Sequence, residues 1–421
     1  MIPWLFLAVT VWGALFTFNA YLPQRRTGPF IIPSFFAGWL TSELSAHHFA
    51  WQLIATVAFI WAGALEAWPG WMGLGITLVS WAALLALVPI SRRAEPVLEA
   101  SLAAALGPQY RERIDADLIE KIEQTPPPPH RPLNPFRFGH ADVEVVRDIA
   151  YVPGGGIRNR LDIYKPKAGC ERAPVLLPVH GGCWTIGNKR EQALPLMTHL
   201  AQQGWICVTA NYRLSPSATF PDHLVDLKRA IGWIRQKIAS HGGDPNYIAV
   251  TGGSAGGHLS AMLALTANDP EYQPGFEDVD TRVDSAVPFY GVYDFSNHYR
   301  LQAGGGMDAF ISRYVLKKDP VADVEDFRRA SPMHRMHPDA PPFFVIHGSH
   351  DSLASVEEAR HFAQALQQIS KQPVAYAEIP GAQHAFEIFH SLRTSVVVQA
   401  VDRFLAWNYS RYRESGRGGA P

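Results

Sequence analysis

The sequence predicts an α/β fold: a mainly parallel sheet with helices on both faces, preceded by a transmembrane helical region. Three observations predict it. From about residue 140, short strand-like runs alternate with helix-length stretches, the pattern of a parallel sheet covered on both sides. At the centre of that alternation, Gly252-Gly253-Ser254-Ala255-Gly256 joins the strand-like run Tyr247–Val250 to the helix-compatible run His258–Leu265. Residues 1–90, by contrast, are largely apolar and rich in Trp, while the remainder reads as soluble protein.

The bulk composition narrows the classes. At 421 residues the chain is too long for one ordinary domain. Its net charge is −1, with 18% charged residues and no basic stripe, which argues against a nucleic-acid partner. Cys170, Cys183 and Cys207 are scattered without CxxC spacing, so neither a disulfide framework nor a zinc site is expected.

Taken in order, residues 2–22 carry no charged side chain and are long enough to cross a bilayer. No Lys or Arg precedes them, unlike a cleaved signal peptide, so an uncleaved span is expected. The run Phe30–Leu40 is short and interrupted by Pro33, and is placed at the membrane interface. Phe49–Leu65 and Trp71–Ile90 form a hairpin about the turn signal Glu66-Ala67-Trp68-Pro69-Gly70. Three spans with basic pairs Arg25/Arg26 and Arg92/Arg93 after the first and third put the α/β part in the cytoplasm, in a multi-pass protein of the cell membrane. Two or four spans also fit the hydropathy, as do helices packed on a soluble core.

Residues 1–93 are therefore assigned to the membrane region. Residues 94–139 follow as amphipathic helices and a Pro-rich linker. Leu98, Leu102, Leu106, Tyr110, Ile114, Leu118 and Ile122 recur at helical spacing, with a break at Gly107-Pro108, and their apolar face lies on the membrane or covers the next domain. The stiff run Thr125–Pro132 marks the boundary. Residues 140–412 hold the α/β domain, with a cap insertion at about 292–340 where the alternation stops. Residues 413–421 are expected to be a disordered tail.

The chemistry is read from the central motif. A G-x-S-x-G turn between strand and helix lifts the serine on a strained bend, with the helix N-terminus aimed at charge developing beside it. A glycine-rich loop that merely contains a serine is the plainer alternative. A serine hydroxyl needs a general base, and the base needs an orienting carboxylate. In a parallel sheet the loops after the strand C-termini converge on one edge. Asp351, in His347-Gly348-Ser349-His350-Asp351, follows a buried strand. His384, in Pro380-Gly381-Ala382-Gln383-His384, follows the last strand. Ser254, Asp351 and His384 are thus the catalytic candidates. The loop His180-Gly181-Gly182-Cys183-Trp184 also follows a buried strand, so the N–H groups of Gly181 and Gly182, with that of Ala255, are the oxyanion candidates. His180 braces that loop. Trp184 lines the substrate pocket or sits in the core; Cys183 reads as a small apolar filler.

These motifs, with Asn211-Tyr212-Arg213-Leu214 and Ala330-Ser331-Pro332, make residues 140–410 resemble the α/β-hydrolase superfamily, in the branch shared by hormone-sensitive-lipase-like esterases and arylformamidase-like hydrolases. With apolar spans ahead of it, the whole chain also resembles membrane-associated bacterial lipase/esterases of actinobacterial type. The resemblance implies hydrolysis of carboxylic esters, small or lipid-like, without metal or cofactor. Two positions depart from the lipase-like pattern: Cys183 stands where a third glycine is common, and Gly253 where an acid is common. HGGxW fits the arylformamidase-like branch, which keeps aryl amides and formamides open as substrates. A non-catalytic membrane scaffold is the third reading, disfavoured by the full set of candidates.

Overall fold

Four apolar helices open the chain: α1 (Ile2–Tyr21), α2 (Ile31–Glu43), α3 (Ser45–Trp61) and α4 (Trp68–Arg92). The structure is a computed structural model that describes residues 1–24, 28, 30–125, 134–301 and 306–416. Arg25 and Arg26, most of the Pro-rich linker and the end of the tail lie outside the described residues. Among the described residues, two helical stretches, Ile2–Tyr21 and Trp68–Leu106, are long and apolar enough to cross a membrane. Pro33 does not interrupt α2, because it falls in the first turn, where its missing N–H has no helical partner to lose. Likewise Pro69 sits at the start of α4 rather than in a turn.

The order of contacts sets the direction of each helix. Trp4 meets Trp68, the Thr17 hydroxyl lies 2.7 Å from that of Ser80, and Tyr21 donates to the Ala83 carbonyl at 2.6 Å, so α1 and α4 run parallel. Phe6 meets Phe59 and Phe16 meets His48, so α3 runs back between their ends. The outward faces stay apolar: Trp12, Ile54, Trp61 and Val79 are all exposed.

Beyond Arg93 come α5 (Ala94–Leu106) and α6 (Ala116–Gln124). Leu98, Leu102, Leu106, Tyr110, Ile114 and Leu118 are buried in the same cluster as the C-terminal helix, so this apolar face covers the α/β part. The α/β part itself runs β1 (Val143–Ala150), β2 (Arg160–Pro166), β3 (Ala173–Val179), α7 (Leu194–Gln202), β4 (Ile206–Ala210), α8 (Asp222–Lys237), β5 (Gly243–Gly253), α9 (Ala255–Leu265) and β6 (Ser285–Phe289). After β6 a long excursion holds α10 (Gly306–Phe310) and α11 (Val324–Arg329). The chain then closes with β7 (Phe343–Gly348), α12 (Val356–Ile369), β8 (Val374–Ile379) and α13 (Leu392–Glu414).

Among the described residues the sheet has eight strands in the order β1-β2-β4-β3-β5-β6-β7-β8, antiparallel across β1, β2 and β4 and parallel thereafter. It is a mixed sheet of the kind that the α/β-hydrolase resemblance leads one to expect. Successive residues feed opposite layers, as strand geometry requires. In β5, Ile248 and Val250 enter one core while Tyr247 and Ala249 enter the other; Phe343 and Val345 of β7 oppose Phe344 and Ile346 in the same way. Pairing of Gly252 with Val179, Gly253 with Phe289, and Gly348 with Ile379 aligns the strand C-termini. The loops after β3, β5, β7 and β8 therefore emerge along one edge.

Candidate active site

The turn between β5 and α9 carries Ser254 at φ 59°, ψ −122°, a conformation that β-carbon sterics normally penalise. Its N–H donates to the Phe289 carbonyl at 3.0 Å, which pins the turn to β6. Glycine is needed on either side: a Cβ at Gly252 would come within 2.5 Å of the carbonyl oxygens of both Val179 and Gly256, and one at Gly256 would strike the Val179 carbonyl. Ser254 then caps α9, so the free N–H groups of the helix start beside its hydroxyl.

Asp351 and His384 meet at the ends of β7 and β8. Nδ1–H of His384 donates to Asp351 Oδ2 at 2.7 Å, which leaves Nε2 with its lone pair free to accept a proton. Asp351 Oδ1 accepts from the N–H groups of Leu353 and Ala354 at 2.8 and 2.9 Å, while His347 Nε2 lies 3.1 Å from Oδ2. Burial alone would raise this carboxyl, but His384 and His347 outweigh it and hold it far below the usual carboxylate range. Gln383 ties the two loops: its Oε1 accepts from Ser352 N–H at 2.7 Å and from His384 N–H at 2.9 Å. Among the described residues no hydrogen bond closes from Ser254 Oγ to the imidazole; such bonds often tighten only when substrate arrives. The Tyr290 ring bridges the two elements. It lies 4.4 Å from the His384 ring, and a Cβ on Gly253, next to Ser254, would meet its hydroxyl.

The loop after β3 places the remaining candidates differently from one another. Gly181 comes close to the nucleophile turn, where an added Cβ would lie 3.1 Å from Ser254 Cβ. Its N–H, however, already donates to Gln192 Oε1 at 2.7 Å, so Gly181 is not a free oxyanion donor. Gly182 and Cys183 follow with φ of 110° and 50°, and among the described residues neither N–H donates a hydrogen bond. His180 stacks on Tyr212, whose hydroxyl donates to the His180 carbonyl at 2.8 Å; burial pulls this imidazole down to about 4. Burial pushes the Cys183 thiol up, which suits a filler rather than a nucleophile.

Trp184 is a correction to the pocket reading. It is 1% exposed and packs against His258 and Phe295 in the core. Its indole N–H donates to His258 Nδ1 at 3.2 Å, so Nε2 of that imidazole carries the proton and donates to the Ala330 carbonyl at 2.8 Å. Burial keeps His258 neutral, with its pKa down to about 3. One relay thus joins the β3 loop, α9 and the Ala330-Ser331-Pro332 segment.

Several neighbours carry no local sequence signal. Both carboxylate oxygens of Glu387 lie within 2.5–2.6 Å of the Tyr290 hydroxyl, and burial pushes that carboxyl up to about 7. Glu387, Gln192, Gly253, Leu196 and Val398 line a small cavity behind the serine turn. From the helical bundle, Phe35 presents its ring edge-on to His384 with centroids 6.0 Å apart.

Comparison with known proteins adds an independent line. The BD-FAE family matches residues 161–366. The "Probable carboxylic ester hydrolase LipM" of Mycobacterium tuberculosis is 43% identical over 420 residues, spanning 96% of this chain and 93% of LipM. Esterase LipQ of the same organism is 40% identical over 389 residues, 91% of this chain and 86% of LipQ. Among solved structures, a thermophilic esterase from Thermogutta terrifontis aligns with a TM-score of 0.51 and 26% identity, covering 66% of this chain and 93% of that one.

Proposed function

Starting from a chain that belongs to the family of LipM- and LipQ-type carboxylic ester hydrolases, we propose that it cleaves its ester through an acyl-enzyme on Ser254. The observation that carries the proposal is the 2.7 Å bond from His384 Nδ1 to Asp351, set at the strand edge where Ser254 stands on its strained turn. His384 Nε2 takes the proton as Ser254 Oγ attacks the ester carbonyl. Asp351 holds the tautomer and stabilises the imidazolium. The N–H groups of Gly182, Cys183 and Ala255 face the oxyanion, while Gly181 N–H keeps its bond to Gln192 and fixes the loop. Collapse of the adduct expels the alcohol with the proton from His384. A water deprotonated by His384 then attacks the acyl-serine and releases the acid.

The substrate is a small or lipid-like ester, and the bundle is proposed to sit in a bilayer. The parallel course of α1 and α4 requires the chain to return between them, which supports three crossings with α3 as the return. Basic Arg92 and Arg93 at the end of α4 favour a cytoplasmic catalytic part.

The test is turnover of short p-nitrophenyl esters by full-length Ser254→Ala, with matched aryl formamides assayed beside them. Loss of ester turnover with intact folding supports the assignment. Undiminished turnover by the variant overturns it, and faster cleavage of the formamides moves the activity to amides.

A further inference from the structure

The helical bundle does more than precede the hydrolase. Residues 380–391 form the loop that carries His384, and this loop is held from α2 at both ends and at its centre. At one end, the Arg393 guanidinium donates to the Pro380 carbonyl at 3.1 and 3.2 Å and pairs with Glu43 Oε1 at 2.7 Å. At the other, Ser391 Oγ donates to Glu43 Oε2 at 2.8 Å while accepting from Thr394 N–H as the cap of α13. Both side chains of the ion pair are fully buried, so water does not compete for it. At the centre, Phe35 rests edge-on against His384 and is itself stacked on Trp39, which in turn meets Phe389 of the same loop. Gly38 approaches Gln383, the residue joining the Asp351 and His384 loops; a Cβ there would lie 3.4 Å from Gln383 Nε2. The partner loop is touched too, since His350, next to Asp351, lies 3.2 Å from the Ala20 carbonyl of α1.

None of these contacts is needed to attach a hydrolase to a bilayer, for which a linker suffices. Their common target is the orientation of one imidazole. We infer that α2 is a positioning element of the active site, with Glu43 and Phe35 acting through the His384 loop. The inference rests on the reading of His384 as the general base. A consequence follows for the whole protein: hydrolysis depends on the seating of α2, even for a short soluble ester that needs no membrane to reach Ser254. Displacing α2 leaves the sheet and the serine turn in place and lets the His384 loop drift. Geometric errors of about 1 Å at a reacting group can cost about 10²-fold in rate.

The experiment uses the full chain in detergent, with Phe35→Ala, Phe35→Tyr, Glu43→Gln and the outward-facing Val79→Ala, each checked for folding by near-ultraviolet circular dichroism. Steady-state kinetics on p-nitrophenyl butyrate separate kcat from KM. Phe35→Ala and Glu43→Gln are expected to lower kcat at least tenfold with KM within about threefold. Phe35→Tyr restores most of the loss, and Val79→Ala matches the wild type. Folded Phe35→Ala protein with wild-type kcat overturns the inference, even if Glu43→Gln fails to fold because its buried arginine is left unpaired. The Ser254→Ala variant keeps the two claims apart. If it is inactive while Phe35→Ala and Glu43→Gln run at full speed, only the role of α2 falls. If Ser254→Ala itself turns over, the underlying reading falls.

Discussion

Asp351→Asn tests the orienting carboxylate with the least change in shape. Oδ1 of Asp351 accepts from two backbone N–H groups, those of Leu353 and Ala354. An asparagine must keep its carbonyl oxygen there, because turning the amide would set its NH2 against both donors. The NH2 therefore points where Oδ2 now receives His384 Nδ1–H at 2.7 Å. Two donors cannot share that bond, so the imidazole moves its proton to Nε2, the nitrogen that must accept from serine. The same wrong-tautomer substitution in other serine enzymes costs about 10⁴ in kcat, about 5.4 kcal/mol of barrier. Backbone bonds to Oδ1 survive, so the melting temperature should fall by no more than a few degrees. The assay is kcat on p-nitrophenyl butyrate with a folding check by circular dichroism. A folded Asp351→Asn protein retaining more than about a hundredth of wild-type kcat would refute the tautomer argument.

Two further predictions follow from the surroundings. Trp184→Phe removes the indole donor to His258 Nδ1 and leaves a buried acceptor unpaired, costing about 1–3 kcal/mol of stability; calorimetry should show a lower melting temperature while KM for short esters stays within threefold, and a KM shift without a stability loss would restore the pocket reading. Glu387 binds its proton more tightly in the folded state, its carboxyl pushed up to about 7 by burial from an ordinary 4.5. A raised folded-state pKa contributes stability fully below the unfolded value and loses it as pH rises through the folded one. Stability should therefore decline from pH 5 to pH 7.5 in the wild type by on the order of a few kcal/mol, read as a falling melting temperature, and Glu387→Gln should flatten that decline. An identical slope in both proteins would show that the Glu387 proton is not the source.

The parts of this molecule that were legible are those encoded over a few neighbouring residues. Gly252, Ser254 and Gly256 announce their turn because only glycine fits against the Val179 carbonyl beside so tight a bend. The strand-end positions of Asp351 and His384 follow from chain order once the strands are recognised. The apolar spacing from Leu98 to Leu118 marked a buried face but not what covers it; the C-terminal helix does. What the pattern did not reveal is long-range pairing. Gln192 occupies the N–H of Gly181 from eleven residues away. Glu43 and Arg393 pair across 350 positions, and Glu387 meets Tyr290 across 97. Trp184 looked the same in sequence whether it lined a pocket or filled the core, and only His258 beneath it decides between the two. Pro33 looked like a break because its place in the first turn of α2 was not visible from composition.

The claim on which the account stands is that catalysis passes through a covalent bond to one side chain. Full-length protein treated with a fluorophosphonate should lose esterase activity in proportion to labelling, and peptide mass spectrometry should find one adduct per chain, on Ser254. An adduct on another residue, or full esterase activity in protein that remains unlabelled at Ser254 under saturating probe, would contradict it.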